Sequence, residues 1–268
     1  MAIVEKSSTT RSGMPVVMAI PEGNGPFPSM ILLHERYGLV QHTIDIGKRL
    51  AENGYLVAAP DLYFEHPDQE ALHAGKVTVD VADAKVNEQL EEVADLIQRE
   101  FGADLDRLAV MGVCKSGRYP FAYAAEHPVR ACITFYGGLN EEAWSSNDLH
   151  PIPMEQYLAN IEAPILGVYG ERDHTIPIEA VLKLRNALEE RNKSYQITIY
   201  PDVPHGWLND TMPGRYRPEA AEQTWKELLG FLDDELVQRN EVRRDPVEWR
   251  FRSAKHLNYD YSKNVRLE

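Results

Sequence analysis

The sequence predicts an α/β protein built on a mostly parallel central sheet flanked by helices. Short runs rich in Val, Ile, Leu and Tyr alternate with amphipathic stretches, the pattern of strands joined by crossover helices. Hydrophobic residues make up 43% and charged residues 26%, the balance of a folded globular chain rather than a disordered or fibrous one. A chain of 268 residues can form one α/β unit around a single sheet and bury a large core.

In chain order, strands are expected at 16–20 and 29–34, then a helix at 43–53 and a strand at 56–59. A long helix follows at 81–101, where Val86, Leu90, Val93, Leu96 and Ile97 form one apolar stripe between charged residues, as in a helix packed on a sheet. Next come a strand at 107–111, a helix at 117–126, and strands at 131–135 and 164–169. A helix at 178–191, a strand at 195–200 and a helix at 218–238 complete the pattern. The composition changes after Gln238, where the chain becomes charged and aromatic, with Trp249, Phe251, Tyr259 and Tyr261. Residues 1–238 are therefore expected to form the domain, and 239–268 an extension packed on it or on a neighbouring subunit, because so short a segment cannot sustain its own core.

The formal charge of −14 argues against nucleic-acid binding, which needs clustered Lys and Arg to neutralise phosphates. No apolar run approaches the length of a membrane span, and the start carries no signal-peptide pattern, so a cytoplasmic protein is expected. In that reducing setting Cys114 and Cys132 should both be free thiols. A small molecule is the expected partner, and the chain could be a monomer or a homo-oligomer.

The strongest local signal is Gly112-Val113-Cys114-Lys115-Ser116-Gly117, between an apolar run and an expected helix. A nucleophile in a tight strand-to-helix turn needs small neighbours, because larger side chains would collide with adjacent strands. The same turn sets Cys114 at the positive end of a helix, which favours the thiolate. The nucleophile needs a base, and His205 lies in Val203-Pro204-His205-Gly206-Trp207 after the last expected strand of the domain. Imidazole suits the role because it accepts and returns a proton near neutral pH. A carboxylate should orient it, and Asp173 follows the preceding strand in Gly170-Glu171-Arg172-Asp173-His174, with Glu171 the nearest rival. The order nucleophile, acid, histidine is that of the α/β-hydrolase fold.

With these residues the chain resembles the dienelactone hydrolase family, the cysteine branch of the α/β-hydrolases, over about residues 14–236. His34-Glu35-Arg36-Tyr37-Gly38 is similar to the family's glutamate segment, Pro60-Asp61-Leu62-Tyr63 matches its Pro-Asp-Leu-Tyr signature, and Phe135-Tyr136-Gly137-Gly138 fits its strand end. The resemblance implies opening of a lactone or cleavage of a small carboxylic ester through a thioester on Cys114. It also implies that Glu35 takes part in thiol activation, and that the backbone N–H groups of Arg36 and Lys115 form the oxyanion hole. No cofactor or metal is implied, and the histidines show no ligand spacing such as His-Glu-X-X-His.

The chain also departs from the family pattern. Lys115 and Ser116 stand where an apolar residue and a glycine are usual, Arg36 stands where an apolar residue is common, and Gly206-Trp207-Leu208-Asn209 lacks the arginine that pairs with a substrate carboxylate in the founding enzymes. Arg36, Lys115 and Arg118 are candidates to replace it in a pocket for an acidic substrate, with Tyr136, Trp144 and Trp207 as an apolar wall. Two rival readings stand beside the lactone or ester hydrolase: a general carboxylesterase or thioesterase, and a non-catalytic small-molecule-binding protein on a hydrolase scaffold.

Overall fold

The computed structural model describes residues 1–239, 245–258 and 260. Among them, nine strands form one sheet: β1 (Ile3–Thr9), β2 (Pro15–Pro21), β3 (Phe27–Leu33), β4 (Leu56–Pro60), β5 (Ala103–Val113), β6 (Ala131–Phe135), β7 (Ile165–Gly170), β8 (Tyr195–Tyr200) and β9 (Trp249–Ser253). Their order across the sheet is β1-β2-β4-β3-β5-β6-β7-β8-β9. The pairs β1/β2 and β2/β4 are antiparallel, and every pair from β4/β3 to β8/β9 is parallel.

The expected mostly parallel sheet with helices on both faces is therefore present. Among the described residues, seven α-helices connect the strands: α1 (Gln41–Ala51), α2 (Gln69–His73), α3 (Asp83–Phe101), α4 (Tyr119–Glu126), α5 (Met154–Asn160), α6 (Ile178–Glu190) and α7 (Pro218–Leu232). Successive side chains of a strand face opposite sides, so an apolar run is divided between two cores. In β3, Ile31 and Leu33 belong to one core with Val86, Leu90 and Val93 of α3, whereas Met30 and Leu32 belong to a second core with Ile46 and Leu50 of α1 and Leu228 of α7. Each such fully buried aliphatic side chain contributes roughly 1.5–3 kcal/mol.

Helices α2 and α5 and strand β9 are not among the expected elements, and three further elements depart from the expected pattern. Strand β1 is mostly exposed and polar, and it forms by edge pairing with β2 rather than by burying an apolar run. Strand β5 begins at Ala103 instead of 107, because Ala103 pairs with Phe27 across a register shift at Pro28/Ser29. The expected helix 218–238 is α-helical only to Leu232 and continues as a π-helical turn over Asp233–Gln238.

Because the strands from β3 to β8 run the same way, their C-terminal ends open on one rim of the sheet. Glu35 follows β3, Cys114 follows β5, Tyr136 follows β6, Asp173 follows β7 and His205 follows β8. Topology alone thus gathers residues separated by up to 170 positions in the chain.

Candidate active site

Cys114 opens a 3-10 turn (Cys114–Arg118) between β5 and α4 and adopts a left-handed backbone with φ of 57°. An L-residue held there costs on the order of 1–3 kcal/mol, so the surroundings must impose it. They do so by close approach. A Cβ on Gly137 would lie 1.9 Å from the Cys114 carbonyl oxygen, and one on Gly112 would lie 2.3 Å from that of Ser116. The Ser116 hydroxyl, fully buried, accepts from the Val113 N–H at 2.9 Å and lies within hydrogen-bond reach of the Leu33 and Val113 carbonyls. The serine in the family's glycine position therefore braces the turn.

His205 Nε2 lies 3.0 Å from Cys114 Sγ, and its Nδ1 lies 2.8 Å from Asp173 Oδ2. The other Asp173 oxygen accepts the Thr175 and Ile176 backbone N–H groups at 2.7 and 2.9 Å, which fixes the carboxylate. Asp173 and His205 are buried, and the thiol is partly open to solvent. Burial opposes charge on His205, but the Cys114 sulfur and the Asp173 carboxylate outweigh it and hold the imidazole well above its ordinary pKa. Glu171, the rival carboxylate, is directed elsewhere, accepting from the Asp202 N–H at 2.8 Å.

Glu35 is buried, and its Oε2 accepts from Asn209 Nδ2 at 2.8 Å. Asn209, in the segment that lacks the family's arginine, also receives the Thr211 N–H and hydroxyl on its own oxygen. His34 lies behind Glu35 and ties two motifs together. Its Nε2 accepts the Leu62 N–H at 3.1 Å, so Nδ1 carries the proton and donates to the Glu35 carbonyl at 2.7 Å. Burial holds its pKa below the ordinary value, in keeping with a neutral ring.

Glu35, Cys114 and His205 line one cavity of about 350 Å³, together with Arg36, Tyr37, Lys115, Tyr136, His150, His174 and Arg215. Burial, with the neighbouring Glu35 and Cys114 charges, pushes the Tyr136 phenol well above its usual pKa, so this wall stays neutral. Of the expected pocket residues, Arg118 lines the cavity but Trp144 and Trp207 do not. The Arg118 guanidinium is buried and paired with Asp83 (2.8 Å), and it donates to the Ala143 and Ile152 carbonyls. Trp144 lies outside the cavity lining with Lys183 4.2 Å from its ring centre, and Trp207 is fully buried behind Tyr136 at 4.8 Å between ring centres. Sequence alone offers no sign of which face of a loop an aromatic or arginine will take.

A charged chain on the cavity wall escaped the sequence reading. His150 Nδ1 lies 2.9 Å from Asp83, its Nε2 lies 3.3 Å from Asp80, and Lys115 Nζ lies 3.2 Å from Asp80. The hydrogen bonds to Asp80 and then Asp83 outweigh burial and raise His150 from 6.5 to about 9. A pKa raised by folding contributes stability that is complete below the unfolded value and disappears as pH rises through the folded one. Melting temperature should therefore fall more between about pH 7 and about pH 10 in the wild type than in His150→Ala, measured by calorimetry across that range. Parallel curves would contradict the assignment.

A tight turn at the end of one parallel strand, with a carboxylate and an imidazole from the loops after β7 and β8, is an arrangement of the hydrolase class of α/β proteins. The model of the dienelactone hydrolase family matches residues 14–236. The chain belongs to that family. It is 36% identical over 224 residues to a protein of Escherichia coli (strain K12) named "Putative carboxymethylenebutenolidase", covering 81% of this chain and 80% of the relative. A crystal structure of a "Putative Dienelactone Hydrolase" from Klebsiella pneumoniae superposes with a TM-score of 0.78 at 32% identity, over 87% of this chain and 99% of that one. A dienelactone hydrolase-like promiscuous phosphotriesterase from metagenomic libraries shares the fold at a TM-score of 0.68 and 16% identity, covering 88% and 99% of the two chains. Among the described residues, no helix is long and apolar enough to cross a membrane.

Proposed function

We propose that this dienelactone hydrolase-like hydrolase opens a lactone or cleaves a small carboxylic ester by covalent catalysis at Cys114. The observation that carries the reading is the unbroken hydrogen-bond line from sulfur to imidazole to carboxylate, 3.0 and 2.8 Å, on the wall of the cavity. The raised His205 pKa favours an imidazolium beside a thiolate, which is the reactive form of the pair.

In the proposed cycle the Cys114 sulfur attacks the carbonyl carbon, and the backbone N–H groups of Arg36 and Lys115 receive the oxyanion. Preorganised amides suit this job, and one such donor is worth roughly 3–4 kcal/mol of transition-state stabilisation. As the carbon–oxygen bond breaks, His205 gives its proton to the leaving alkoxide or enolate and a thioester remains. His205 then takes a proton from water, the resulting hydroxide attacks the thioester, and the acid departs as the thiolate is restored beside the imidazolium. In a lactone the leaving oxygen stays tethered, so the product is one ring-opened acid. Glu35, as the resemblance suggests, exchanges a proton or hydrogen bond with Cys114 when substrate enters, and Asn209 holds it ready. A panel of lactones, dienelactones and small esters assayed against wild type and Cys114→Ala tests the reading. Equal turnover by both proteins would overturn it, as would binding without turnover by the wild type.

Substrate charge is set by whichever cavity cation remains available. Lys115 is paired with Asp80 and Arg118 with Asp83, whereas the Arg36 guanidinium meets only neutral oxygens among its hydrogen bonds, the Gly75 carbonyl at 3.0 Å and the Thr78 hydroxyl at 3.1 Å. Arg36 is thus the favoured anchor for a substrate carboxylate. Arg36→Ala should lower kcat/KM about tenfold for a carboxylate-bearing ester and change it less than about twofold for its neutral counterpart. Equal losses on both esters would remove Arg36 from this role.

A further inference from the structure

We propose that the C-terminal segment around β9 is a clasp that positions the Asp173 and His205 loops, with Glu171 and His256 as its joint. This inference rests on the roles proposed for those two residues. The segment lies past residue 236, beyond the stretch that matches the family model.

The clasp is built in two stages. First, β9 adds to β8 in parallel, with Tyr195 opposite Trp249 and Ile199 opposite Ser253. The Tyr195 N–H donates to the Glu248 carbonyl at 2.9 Å, and the Trp249 indole N–H donates to the Lys193 carbonyl at 3.0 Å. Phe251 packs against the core with Arg185 5.0 Å from its ring centre, and Arg252 lies 3.7 Å from the partly buried Glu227. Because the pairing is parallel, the strand delivers the residues that follow it to the same rim as the active-site loops.

At that rim the Glu171 side chain, fully buried, joins three segments. One oxygen accepts the His256 backbone N–H, and the other lies 2.6 Å from His256 Nδ1 and accepts the Asp202 N–H at 2.8 Å. Glu171 stands two residues before Asp173, and Asp202 stands three before His205. Adjacent bonds lock the same two loops together: the Arg172 N–H donates to the Val203 carbonyl at 2.9 Å, and the Arg172 guanidinium pairs with Asp202 at 2.5 Å. A buried carboxylate needs its hydrogen bonds, so removing the tail's donors would leave Glu171 to find others by shifting the backbone beside Asp173. Small displacements of this kind slow reaction more than they weaken substrate binding.

The test uses the full chain. His256→Ala should lower kcat for a p-nitrophenyl ester about tenfold with KM within about twofold, and should speed hydrogen exchange at the Asp202 and Arg172 amides. His256→Asn, which keeps a side-chain N–H donor, should recover most of both. Glu171→Gln, which preserves shape but not charge, should repeat the loss and serves if His256→Ala does not fold. Unchanged kcat or unchanged exchange in folded variants would overturn the clasp. Cys114→Ala, run alongside, separates the two readings. If it keeps turnover while His256→Ala still slows both loops' chemistry and loosens them, the nucleophile assignment fails and the clasp stands.

Discussion

Replacing Cys114 with alanine is expected to reduce kcat for a p-nitrophenyl ester by about 10⁴-fold or more, with little change in melting temperature. The size follows from how such groups work: nucleophile, base and acid act as one unit, so losing the first removes nearly all that the three supply together. The residual rate would come from the oxyanion donors and substrate binding. The stability cost should be small, since the thiol is partly solvent-exposed and alanine keeps the Cβ. Iodoacetamide gives an independent readout in the wild type. It should label Cys114 much faster than Cys132, which is fully buried and whose thiol burial pushes far up. Loss of turnover should follow Cys114 labelling one for one, and turnover surviving complete labelling would defeat the assignment.

For Asp173→Asn the expected result is a fall in kcat of about 10³- to 10⁴-fold with the fold intact. The amide oxygen can still accept the Thr175 and Ile176 N–H groups, so the loop should hold its shape. The amide N–H₂ would then face His205 Nδ1 and favour the tautomer with its proton on Nε2, which cannot accept one from sulfur. The electrostatic consequence has a definite sign. Burial already works against a charged His205, and removing the Asp173 carboxylate deletes one of the two charges that overcome it. The imidazole pKa should fall, the thiolate should become scarcer, and alkylation of Cys114 near neutral pH should slow. A variant whose alkylation rate and kcat both match wild type would show that Asp173 has no part in the chemistry.

The strand pattern was legible because buried parallel strands read as near-continuous apolar runs, and β3, β4, β6, β7 and β8 fall close to their expected places. Strand β1 was not legible, since an exposed edge strand of charged and hydroxyl residues has no apolar signature. Within the site, Cys114 was marked by its small neighbours, and Asp173 and His205 by their place after successive strands. Asn209 and Ser116 were visible in the sequence only as departures. Their contacts with Glu35 and with the Val113 N–H explain what stands in place of the family residues.

Local chemistry can be read along the chain wherever it depends on neighbours in sequence. A tight turn needs glycine and serine, a strand needs apolar runs, and a crossover helix needs its stripe; these made the α/β architecture readable in advance and drew attention to the turn that carries Cys114. Pairings between distant charges cannot be read in this way. Whether Arg118 faces substrate or Asp83, whether His150 bridges two carboxylates, and whether Glu171 meets the C-terminal segment all depend on how the loops pack at the sheet rim. A charged side chain taken out of water goes to the partner that folding brings within reach, and only the tertiary structure decides which partner that is.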